Sequence, residues 1–182
     1  MAVLNEKEVP YDIEYIDLSN KPDWFLEISP TGRVPVIQTP EGDALFESAV
    51  INEFLDESHA PQFMPETPLA RAQERMWSDF VSGLYGDVFR ASYVATSAEE
   101  AQESIDSIKK RLAQLEEKVV GPLFNGEQFG LIDATAAPPF TRMNWMEEAV
   151  HGLDFFGDTP KVKAWKDALL ARPSVVNSVL PD

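Results

Sequence analysis

Between residues 61 and 68 the chain places three prolines in eight positions, Pro61, Pro65 and Pro68. Proline lacks a backbone donor and cannot continue a helix or a central strand, so this run separates whatever lies on either side of it. The hydrophobic patterns on the two sides differ. Before it, residues 11–18 alternate in the manner of a strand and 34–38 form a short β-branched run. Glu41, Gly42 and Asp43 then supply a turn ahead of Ala44, Leu45 and Phe46. These patterns predict a strand over 11–18 and a β-hairpin over 34–46. From Glu47 or Ser48 to Ser58, Val50, Ile51, Phe54 and Leu55 recur at helical spacing, with the Ser48 hydroxyl placed to cap the helix start.

After the prolines nearly everything reads as helix. Leu69, Ala72, Met76, Trp77, Phe80, Val81, Leu84 and Val88 make one apolar stripe, and Ile105, Ile108, Leu112, Leu115 and Val119 make a second. Both read as bundle core. A third helix is expected near Gly130, with Asp133 placed to bond back to an amide of its first turn, and Pro138-Pro139 predict a bend or a late start. Thr159 before Pro160 signals a fourth helix, with Thr159 as its cap, and Arg172-Pro173 ends it. The predicted organisation is a mixed domain over 1–60, a linker over 61–68 and an all-helical domain over 69–182.

Composition narrows the functional classes. At 182 residues and 44% hydrophobic content the chain can bury a substantial core. No apolar run approaches the ~20 residues that span a bilayer, and residues 1–15 lack the basic start and apolar core of a secretion signal, so a cytoplasmic protein without a membrane partner is expected. The sequence contains no cysteine, which excludes disulfides, thiolate metal sites and cysteine nucleophiles from these residues. With only His59 and His151, both read as surface or helix-end residues, neither a multi-histidine metal site nor a nucleophile–histidine relay is expected. Fifteen basic against 31 acidic residues give a net charge of -16, which opposes nucleic acid and anionic membranes.

Taken in order, the blocks Asn20-Lys21-Pro22-Asp23-Trp24-Phe25, Ser29-Pro30-Thr31-Gly32-Arg33-Val34-Pro35-Val36, Phe46-Glu47-Ser48-Ala49 and Glu53-Phe54-Leu55-Asp56-Glu57 resemble the cytosolic glutathione S-transferases. They are most similar to the omega and related cysteine-type classes. Gly130 to Asp133 and Thr159 to Trp165 extend the resemblance over nearly the whole chain. It implies an α+β thioredoxin-like N-terminal domain followed by an all-α bundle, glutathione as ligand or co-substrate, a hydrophobic electrophile as second substrate, and a homodimer.

The resemblance also implies residue roles. Pro35 would follow a cis peptide bond and leave the Val34 backbone to pair with the cysteinyl part of glutathione. Glu47 would face the γ-glutamyl ammonium, while Ser48 and the helix-start amides would bind its carboxylate. Lys21 would approach the glycyl carboxylate, with Arg33 as a weaker second cation. Read as isolated residues, Ser48 is a helix cap, Lys21 a solvated charge and Pro35 a strand-edge proline. Up to His59 the only cations are Lys7, Lys21 and Arg33, against thirteen acids, so an anionic peptide would depend on local cations and amides to overcome the general field. Tyr85, Phe89 and Trp145 are candidates for the wall of a second-substrate pocket, and each also reads as core.

One departure from the family pattern bears on activity. A complete transferase has an opening strand and a loop carrying the Tyr, Ser or Cys that holds or attacks the glutathione sulfur, whereas residues 1–8 resemble the end of the first helix. The expectation is a thioredoxin-like domain truncated at its N-terminus, with no assignable catalytic residue. Strands 11–17 and 34–37 would then close directly on each other or pair with another chain. Three readings stay open: a transferase of weak or altered activity, a non-catalytic ligand-binding or assembly module of the same fold, and a shortened copy of a full enzyme.

Overall fold

The computed structural model of the chain describes residues 1–179. They fall into two compact units, one of Val3–Gln62 and one built chiefly from the chain beyond Phe63.

The first unit contains α1 (Ala2–Glu6), α2 (Asp23–Ile28), β1 (Val36–Gln38), β2 (Ala44–Phe46) and α3 (Ser48–Ser58). The predicted hairpin is present. β1 and β2 pair antiparallel, with Val36 opposite Phe46, Ile37 opposite Leu45 and Gln38 opposite Ala44. Its turn closes through Thr39 N–H to the Asp43 carbonyl (2.8 Å), and Gly42 takes φ 97°, a conformation open to glycine at little cost. Val3, Phe25, Ile51 and Leu55 form the buried apolar centre. Beside them Lys7 is buried and paired with Asp56 at 3.0 Å, and its Nζ also donates to the His59 carbonyl at 2.6 Å.

Residues 11–18 do not form the predicted strand. Alternation is only a disposition; a strand exists by virtue of a neighbour that takes its amides and carbonyls, and among the described residues the sheet consists of β1 and β2 alone. Direct closure of this segment onto 34–37 is therefore not what the chain does. Tyr11, Ile13, Tyr15 and Leu18 are left exposed.

The second unit is helical: α4 (Pro68–Phe89), a π-helical turn (Arg90–Val94), α5 (Ala98–Glu116), α6 (Leu131–Ala149), α7 (Pro160–Leu170) and the short α8 (Pro173–Val176). Val81, Leu84 and Val88 of α4, Ile108, Leu112 and Leu115 of α5, Phe140 and Met143 of α6, and Trp165 and Leu169 of α7 are all buried. The inner stretches of both predicted stripes are thus core. The outer stretch of the first is not, since Leu69 is 70% and Met76 55% exposed. Helical spacing shows which residues share a face, whereas coverage of that face depends on neighbouring elements.

α6 starts at Leu131 and runs through Pro138 and Pro139, so the late start does not occur. Its first turn is held as expected. Gly130 N–H donates to Asp133 Oδ2 (2.8 Å), while Phe124 N–H (3.1 Å) and Trp165 Nε1 (2.6 Å) donate to Oδ1. Thr159 departs from its predicted capping role. Its hydroxyl turns to the Phe156 carbonyl, and the free amides of α7 are taken by Glu116 of α5, which accepts from Lys161 N–H (3.0 Å) and Val162 N–H (2.9 Å). Among the described residues no helix is long and apolar enough to cross a membrane.

Candidate functional site

The hairpin register decides which site residues meet. Because Val36 lies opposite Phe46, Val34 and Pro35, which enter β1, and Glu47 and Ser48, which leave β2, are at the same end of the ladder. The Val34–Pro35 peptide bond is cis, in agreement with the sequence comparison. Val34, Pro35, Glu47 and Ser48 are all exposed.

Glu47, rather than Ser48, occupies the N-cap position of α3, and no side chain caps this helix. Ile51 N–H reaches the Glu47 carbonyl at 3.0 Å, which leaves the amides of Ser48, Ala49 and Val50 without intrahelical acceptors. Ser48 is the first helical residue. Glu47 has φ 69° and ψ 113°, a conformation that side-chain-bearing residues rarely adopt, fixed here between β2 and α3. The uncapped helix start therefore presents free donors and an accompanying positive partial charge to solvent.

Lys21 lies beside the loop before β1. Gly32 has φ 59°, and a Cβ added there would sit 3.5 Å from Lys21 Nζ, so the lysine lies along the backbone that leads to Val34. The loop is braced from beneath: Ser29, almost fully buried, donates its hydroxyl to the Arg33 carbonyl at 3.0 Å, and Gly32 N–H bonds the Ser29 carbonyl at 2.9 Å. Neither Ser29 nor Gly32 was singled out from sequence, although the Ser29-Pro30-Thr31-Gly32 turn composition carries that signal. Lys21 and Arg33 form no ion pair among the described residues. Tyr85, Phe89 and Trp145 lie in the second unit and are exposed, so their reading as core is corrected. Among the described residues no three His, Asp or Glu side chains converge to hold a metal ion.

A two-stranded hairpin with flanking helices, a cis-proline at its entry and an uncapped helix at its exit, followed by a helical unit, defines a thioredoxin-like protein with an appended helical domain. Residues 1–58 match the family profile described as glutathione S-transferase, N-terminal domain, and residues 60–173 the one described as glutathione S-transferase, C-terminal domain. The probable glutathione S-transferase DHAR1, cytosolic, of Oryza sativa subsp. japonica is 30% identical over 98% of this chain and 80% of its own length. Among solved structures, glutathione transferase Omega 3C from Trametes versicolor superposes with a TM-score of 0.87 at 32% identity, covering 100% of this chain and 82% of that one. Rice GST1, solved in complex with glutathione, superposes with a TM-score of 0.86 at 25% identity, covering 98% and 83%. The chain belongs to the glutathione S-transferase family and is related to its omega class.

Proposed function

We propose that the first unit binds glutathione at the end of the hairpin and that the chain acts as a glutathione-dependent transferase. The observation that carries this reading is the convergence at one place of an uncapped helix start, an acid and a hydroxyl, next to a loop with two unpaired cations. Glutathione is a peptide with one ammonium and two carboxylates. In this reading Glu47 takes the ammonium, and Ser48 with the free α3 amides takes the adjacent carboxylate. The Val34 backbone takes the cysteinyl unit beside Pro35, and Lys21, seconded by Arg33, takes the glycyl carboxylate. Family membership and the glutathione complex of rice GST1 support it. A hydrophobic electrophile as second substrate, a homodimer and a cytoplasmic setting belong to the same reading.

These 182 residues contain no cysteine, so none of their side chains supplies an attacking thiolate. That observation also favours a second reading, a ligand-binding module that holds glutathione without turnover. Calorimetric titration with glutathione tests the binding common to both. The parent should bind saturably, and Ser48→Ala, Glu47→Ala and Lys21→Ala should each weaken binding by about tenfold, the scale of a lost charge-assisted hydrogen bond, while the fold persists. Equal affinity in all four proteins would refute the site. Conjugation of 1-chloro-2,4-dinitrobenzene by the parent then separates transferase from binding module.

A further inference from the structure

We infer that a cleft between the π-helical turn and α5 is a binding site for a small zwitterion, an apolar amino acid or dipeptide, whose carboxylate pairs with Arg90 and whose ammonium is held by Glu103, Ser104 and Ser107. The cleft lies wholly within the second unit and shares no residue with the hairpin end proposed for glutathione.

Its volume is about 450 Å³, within the range of sites that take small organic ligands. The π-helical turn and the residue after it contribute Arg90, Val94 and Ala95, and α5 contributes Glu100, Glu103, Ser104 and Ser107. A π-helical turn is rare and occurs most often where a helix serves a site.

The cationic end is set by a surplus of charge. Asp87 is buried, and two guanidiniums share its single negative charge: Arg111 Nε donates to Oδ2 at 2.9 Å, and Arg90 Nη2 donates to Oδ1. One positive charge is left over. Arg111 spends its remaining capacity inside the protein, donating from Nη1 to the Phe80 carbonyl at 3.3 Å with its guanidinium carbon 5.2 Å from the Phe80 ring centroid. Arg90 pairs with Asp87 alone among the described residues, and its side chain is 60% exposed against 32% for Arg111. The surplus is therefore presented at Arg90, where a planar fork with donors to spare suits a carboxylate.

The α5 side offers acceptors. Ser104, itself buried, gives its hydroxyl hydrogen to the Glu100 carbonyl at 3.3 Å, and Ser107 gives its own to Asp87 Oδ2 at 3.0 Å. A hydroxyl has one hydrogen, so each serine has only lone pairs left for a ligand. Glu103 adds a carboxylate that forms no ion pair among the described residues. Glu100 stays ionised near it, because the Thr96 amide (2.8 Å) and hydroxyl (3.0 Å) hold its carboxyl below its ordinary value. Such a set of acceptors is complementary to a primary ammonium, which carries three donors. A simple anion would use only Arg90 and a simple amine only the α5 side; a zwitterion uses both, with Val94 and Ala95 as an apolar wall for its side chain.

Calorimetry with L-leucine and L-leucyl-L-leucine, each also in its N-acetylated and C-amidated form, tests the proposal. The proteins are the parent, Arg90→Gln, Arg90→Lys, Glu103→Gln and Glu47→Ala, each shown to be folded by circular dichroism. At least one of the two zwitterions should bind the parent about tenfold more tightly than either of its blocked forms. Arg90→Gln should weaken the zwitterion by about tenfold and leave its amide unchanged, and Arg90→Lys should recover part of the loss. Glu103→Gln should weaken the zwitterion and leave its N-acetylated form unchanged. Binding of only one of the two probes supports the proposal and fixes the spacing between the cationic and accepting ends. No binding of either zwitterion, blocked forms that bind as tightly, or an affinity that survives Arg90→Gln or Glu103→Gln would overturn it. So would a loss of affinity in Glu47→Ala, which would move the ligand to the hairpin. Because Glu47→Ala is expected to weaken glutathione and not these probes, failure of one site leaves the other standing. Glu103→Gln alters an exposed side chain, so the outcome does not depend on the Arg90 variants folding.

Discussion

At the scale of the residue, Lys7 and Asp56 form a buried pair in the first unit, at 3.0 Å and with both side chains almost fully out of solvent. Such a pair contributes little net stability when intact, but removing one partner strands the other charge in a dry environment. Lys7→Met should therefore destabilise the protein by about 3–5 kcal/mol in urea denaturation, and adding Asp56→Leu should recover much of the loss. A Lys7→Met protein as stable as the parent would show that Asp56 finds another partner. The sequence displayed Lys7 only as one of three cations in an acidic segment; its burial follows from α1 packing near the end of α3, over a sequence separation of 49 residues.

At the scale of the element, helix starts show two ways of satisfying free amides. α4 and α5 use the local device, with Thr67 accepting from Ala70 N–H (3.3 Å) and Ser97 from Glu100 N–H (3.2 Å). α7 draws on a distant group, and α6 adds one to its own Asp133. Glu74 of α4 accepts from Ile132 N–H at 3.2 Å and from Asn125 Nδ2 at 2.9 Å, and Glu116 caps α7. The Glu74 carboxyl is pushed up from its ordinary value, chiefly by burial and further by the negative charge of Asp133; burial likewise pushes Asp133 up. A raised value in the folded state means that folding favours the protonated form. The stability this contributes is present in full below the ordinary glutamate value of 4.5 and is lost as pH rises through the raised one. Glu74→Gln, which cannot ionise, should thus gain stability relative to the parent as pH is raised from below 4.5 towards neutrality. A stability difference that stays constant across that window would disprove the assignment.

At the scale of the whole molecule, the charge of -16 is spread over a chain with few cations to offset it, and compaction brings like charges together. Raising ionic strength from about 0.01 M to 0.15 M shortens the screening length from ~30 Å to ~8 Å. The melting temperature should rise over that range, by about 2–4 °C for each 1 kcal/mol of repulsion relieved. A melting temperature that falls with salt would mean that attractive pairs such as Lys163 with Asp167 outweigh the net repulsion.

What the sequence determined by itself is what local chemistry specifies. Proline and glycine placement set the turn at Gly42 and the starts of α4 and α7; apolar spacing set the inner faces of α4 and α5; an acid three residues after Gly130 set the first turn of α6. The ordered blocks around Val34-Pro35 and Glu47-Ser48 were enough to point to the family and to the hairpin end where those residues meet. Tertiary structure decided whatever depends on a neighbour distant in the chain. Residues 11–18 have the alternation of a strand and no ladder partner, Leu69 and Met76 keep helical spacing and lack a covering face, and Thr159 yields its capping role to Glu116. Hydrogen bonds, burial and ion pairs each need two groups, and a sequence places the second only when it lies within a turn or two of the first.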